Sequence, residues 1–95
     1  MDGQVIPSFF TASVVSKSSC KSFKPPVNYL ILVNRGDDSE EPEACDIELS
    51  VGDSVDTFLL KYDEILYFGP SKYTKICYKR KDGTDKKIRL DIHSY

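Results

Sequence analysis

The chain has 95 residues, 40% hydrophobic and 29% charged, with a formal net charge of -2. That size holds one domain with one core, and the composition is that of a folded protein rather than a disordered one. Its longest purely apolar run, Leu30 to Val33, is far short of the roughly 20 residues that cross a bilayer as a helix, so no membrane partner is expected.

In chain order, residues 8–16 (SFFTASVVS) are rich in β-branched and aromatic types and predict a strand. Residues 17–26 (KSSCKSFKPP) are serine-rich and basic and end in Pro25-Pro26, which predicts a loop or linker. Residues 27–34 (VNYLILVN) are nearly continuously apolar and predict a central strand, buried on both faces. An acidic loop, 36–44, follows. Residues 45–51 (CDIELSV) alternate, with Ile47, Leu49 and Val51 on one face and Asp46, Glu48 and Ser50 on the other. This strand is expected to run antiparallel beside 27–34 if the loop is a hairpin.

Over 54–66 the period changes. Val55, Phe58, Leu59, Tyr62, Ile65 and Leu66 fall at helical spacing, with Asp53 or Ser54 as cap and Gly69-Pro70 as the stop. Residues 73–80 and 87–93 alternate again, and Lys81-Asp82-Gly83-Thr84 predicts a hairpin turn between them. The expected fold class is therefore α+β. A mostly antiparallel sheet carries one packed helix in the order β-β-α-β-β, with an extra strand in front. The whole chain is one domain: strand or arm 8–16, linker 17–26, core 27–95.

From Val27 to Ile92 this pattern resembles the ubiquitin superfold, the β-grasp. The strand NYLILV, the stretch Val51-Gly52-Asp53-Ser54-Val55, the helix and the Asp-Gly turn are similar to Ras-association domains. The run 76–91 (ICYKRKDGTDKKIRLD) also looks like a Phox-and-Bem interaction domain, although Lys79, Arg80 and Lys81 stand where that family places acids. Residues 58–83 look, as a second resemblance, like the start of a LytTR-type DNA-binding domain. The first resemblance implies a protein-interaction module.

Cys20, Cys45 and Cys77 are scattered, no Cys-x-x-Cys pair exists, and His93 is the lone histidine. Neither a metal site nor a cofactor is expected. The thiol count predicts three reduced cysteines and an intracellular protein, cytoplasmic or nuclear, with one disulfide plus a leftover thiol as the alternative. Val5, Ile6, Phe9 and Phe10, interrupted by Pro7 and Ser8 and preceded by Asp2, make a poor secretion signal. With a single late histidine and no Gly-rich phosphate loop, no catalytic set assembles, and the protein is not expected to be an enzyme.

Charge is unevenly placed. From Asp37 to Glu64 there are eleven acids against Lys61 alone; from Lys72 to Asp91 there are eight bases and three acids. Two functions follow. The leading one is a non-catalytic binding module for another protein of unknown identity. Its acidic docking face would be Asp46 and Glu48, and residues 8–16 would complete the sheet or pair two copies into a homodimer. The alternative is a small RNA- or DNA-binding protein using the basic hairpin 72–89. There Tyr73 and Tyr78 would stack on bases, and Lys72, Lys75, Lys79, Arg80, Lys81, Lys86, Lys87 and Arg89 would meet phosphates. Arg35-Gly36-Asp37 spells an integrin-type tripeptide, a match short enough to arise by chance.

Overall fold

A computed structural model describes residues 8–37, 45–53 and 55–95. Among them are eight strands and no α-helix. The strands are β1 (Ser8–Val14), β2 (Ser19–Val27), β3 (Leu30–Gly36), β4 (Ile47–Val51), β5 (Phe58–Leu60), β6 (Ile65–Phe68), β7 (Tyr73–Arg80) and β8 (Ile88–Ser94). They form two four-stranded sheets, β1-β8-β3-β6 and β2-β7-β4-β5, with every pairing antiparallel. The chain alternates between the sheets in the jelly-roll manner, so sequence neighbours mostly face each other across the core instead of pairing.

Alternation builds that core. Ala12, Val14, Leu30, Leu32, Ile88, Leu90 and Ile92 project inward from the first sheet, and Phe23, Ile47, Leu49, Leu60, Ile76 and Tyr78 from the second; all are buried. Leu30 to Val33 lie on β3, which sits between β8 and β6.

The α+β expectation is corrected to all-β. No helix spans 54–66: residues 58–60 pair with β4, residues 61–64 turn, and 65–68 pair with β3. The helical spacing comes from two short strands joined by a turn, each sending apolar side chains to its own sheet. Leu60 is buried from β5 and Leu66 and Phe68 lie against the core from β6, whereas Val55 is 94% exposed. The turn is set by Asp63 at φ 62°, whose N–H donates to Asn34 O, and by the Lys61 N–H bond to Glu64 Oε1 at 2.7 Å. Ser54, residues 1–7 and the acids at 38–44 lie outside the described residues.

Four further expectations change. The linker 17–26 carries β2, which pairs with β7 through Ser19–Ser22 and again at Val27. Strands 27–34 and 45–51 are not a hairpin, because β3 and β4 belong to different sheets. The same holds for β7 and β8, although Gly83 does turn there at φ 77°. The three-thiol expectation also fails: Cys20 and Cys77 are opposed on β2 and β7 and form a disulfide, leaving Cys45 fully buried.

Candidate functional site

The basic segment does not gather into one surface. Tyr78 points into the core, and burial pushes its hydroxyl pKa up. Tyr73 is half-buried, donates to Gly69 O and meets Phe68 edge-on at 6.1 Å. Neither ring offers an open stacking face. Arg80 follows Ile76 and Tyr78 inward at every second residue and is 1% exposed. Its Nε and Nη2 donate to the Asp82 carboxylate at 3.0 and 2.7 Å, and its Nη1 donates to Lys86 O at 2.6 Å. The Arg80 bonds hold the Asp82 carboxyl below the usual carboxylate range.

The acidic docking candidates stand beside these bases, on β4. Glu48 is the register partner of Lys79, with Nζ to Oε2 at 3.7 Å, and Asp46 O accepts from Lys81 N at 3.0 Å. Lys75 reaches Asp53 at 3.2 Å. The acidic and basic stretches thus meet within one sheet, where they offset one another as exposed pairs of small energetic worth. Lys72, Lys81 and Lys86 are exposed. Arg89 belongs to the other sheet, on β8, and Lys87 immediately precedes that strand, beside Thr11, Ser13 and Arg35. The Arg35-Gly36-Asp37 tripeptide is not displayed on a tip: Arg35 Nε is tied to Asp91 at 2.9 Å, and Gly36, at φ 64°, is buried beneath the Tyr62 ring.

The sheet edges are more distinctive. β2 is a guarded edge, with Lys21, Lys24, Pro25 and Pro26 and a register shift between Ser22 and Val27. β1 is seven residues of unbroken register and β6 is four, and neither contains a charge or a proline. The outer face between them carries a row in register, Phe9, His93, Ile31 and Tyr67, in which Phe9 packs on His93 at 4.7 Å. Phe9 is 57% and Tyr67 68% exposed. The uncharged run of β1 is visible in the sequence, which offers residues 8–16 either as completing the sheet or as pairing two copies; that β1 and β6 are the edges of one sheet is not visible there.

No family model matches the sequence, and no curated protein matches it. A solved chain does share its fold. Described as "Bacillus endospore appendages form a novel family of disulfide-linked pili", it aligns with a TM-score of 0.57 over 95% of this chain and 84% of its own. Identity is 6%, so the likeness is one of fold. It overturns the ubiquitin-superfold resemblance, which needs a helix packed on a single sheet. The intracellular placement falls with the disulfide, a bond that reducing compartments do not keep.

Proposed function

We propose that this protein is a non-catalytic structural subunit that associates with further copies of itself through the edges of the β1-β8-β3-β6 sheet. The observation that carries the reading is β1, which among the described residues is an edge strand and contains none of the charges, prolines or bulges by which monomers block edge-to-edge pairing. Strand direction supports it. Because each neighbour in the sheet is antiparallel, β1 and β6 run in opposite senses. A copy shifted sideways therefore presents its β1 antiparallel to β6, continuing the sheet at about 4.8 Å per strand. Such a head-to-tail contact closes into a ring or runs on as a filament. The neighbour of shared fold is described as forming pili, and the disulfide fits a surface or extracellular setting.

Light scattering coupled to size exclusion tests this. The expected outcome is a multimer whose mass grows with concentration and falls to that of a monomer when Phe9→Lys and Ile65→Lys are combined. Both side chains are exposed, so the fold tolerates the change. A wild-type chain that stays monomeric at every concentration would sink the reading.

A further inference from the structure

At one end of the outer face of the β1-β8-β3-β6 sheet lies a cleft of about 340 Å³, lined by Thr11, Ser13, Arg35, Asp37, Lys87 and Arg89 among others. Its construction is specific. Asp91, on β8, is only 8% exposed at its side chain and accepts from Thr11 Oγ1 at 3.2 Å and from Arg35 Nε at 2.9 Å; Arg89 Nε stands 3.8 Å away. Arg35 bonds this carboxylate through Nε, and Arg89 approaches it with Nε, so among the described residues the Nη donors of both forks remain open to another acceptor. Register brings Ser13 and Gly36 to either side of Arg89, so the donors arise from three adjacent strands. Among the described residues at the cleft, the cations Arg35, Lys87 and Arg89 outnumber the carboxylates Asp91 and Asp37.

We infer that this cleft binds an oxyanion, the sulfate or phosphate group of a small ester. Guanidinium forks match the oxygen geometry of such groups, and charge-assisted bonds of this kind are strong where the forks are held in place. Asp91 is the positioning residue, hydrogen-bonded to Arg35 and 3.8 Å from Arg89. The volume falls in the range of small-molecule pockets, roughly 300 Å³ and upward, and exceeds what a bare ion fills. The Ser13, Arg35 and Arg89 side chains project from the sheet face rather than along its edge, so the site does not depend on self-association.

The test is titration of the intact protein, followed by calorimetry and by amide shifts in NMR. The probes are inorganic phosphate, inorganic sulfate, a sulfated and a phosphorylated monosaccharide, and the unsubstituted sugar as control. Saturable binding of the esters is expected, with shifts centred on Thr11, Ser13 and Arg89. Arg89→Gln should weaken binding at least tenfold without moving the thermal midpoint, since that side chain is 61% exposed. Ser13→Ala should weaken it less. Repeating the titration on the chain carrying Phe9→Lys and Ile65→Lys separates this site from the assembly reading. Inorganic ions binding as tightly as the esters would remove the ester while keeping the oxyanion. Absence of saturation, or full binding by Arg89→Gln, would overturn the proposal.

Discussion

Asn34 has no solvent exposure and three partners through its amide. Its Nδ2 donates to Cys45 O at 2.6 Å and to Leu60 O at 3.0 Å, and its Oδ1 accepts from Gly36 N at 2.8 Å. One side chain on β3 thus ties the first sheet to β5 and to the approach to β4 in the second. Asn34→Leu keeps the bulk but strands three buried backbone groups, and stability should fall by about 2–4 kcal/mol in urea denaturation. Arg80, buried, is bonded to the more exposed Asp82. The Asp82 pKa is lowered in the folded protein, so its contribution is complete above the unfolded carboxylate pKa and fades as pH falls through the lower folded value. Thermal stability measured from pH 6 to pH 2 should therefore drop in acid, and Asp82→Asn should flatten that drop. The same variant should also be less stable at neutral pH, because the buried Arg80 guanidinium loses the charge that faces it on Asp82. Arg80 looked like one more surface base among lysines. Its position two and four residues after Tyr78 and Ile76 is the signal that it shares their inward face.

At the scale of elements, β1, β3, β4, β7 and β8 are readable because each sends a full set of alternating apolar residues to the core. β2 is not readable, since an edge strand needs few inward residues and this one supplies mainly Phe23, and Val27 in part. Its hold on β7 relies on the Cys20–Cys77 disulfide, which closes a separation of 57 residues. By chain-entropy arithmetic that cross-link contributes about 4 kcal/mol. Replacing both cysteines by serine should lower the denaturant midpoint accordingly, and a reductant should do the same to the wild type. The pairing also bears on assembly. With Cys20 and Cys77 closed within one chain and Cys45 fully buried, copies should run as monomers on a non-reducing denaturing gel. A ladder there would show that sulfurs are exchanged between chains. β5 and β6 were hidden for a different reason: two short strands and a turn reproduced the spacing of a helix face, and only the partners β4 and β3 decide between them.

At the scale of the molecule, the two sheets differ in how they end. The sheet with β2 is bounded by lysines, prolines and a bulge on one side and a three-residue strand on the other. The sheet with β1 is bounded by uncharged strands on both sides. Growth is thereby directed to one sheet, which is how the proposed association acquires a single axis. The charge map, so uneven along the sequence, is broken up by the fold: Lys79 pairs with Glu48 across β7 and β4, Lys75 and Arg80 meet Asp53 and Asp82, and Lys87 and Arg89 stand apart at the other sheet. The order of strands carries one more consequence. β8 sits between β1 and β3, so β1 lacks its described pairing partner until β8, about eighty residues further along, has been made. Throughout synthesis the bare, sticky β1 must wait, and a chain rich in such distant pairings folds slowly. The feature on which the proposed joining of copies rests would also make the unfinished chain prone to joining too early.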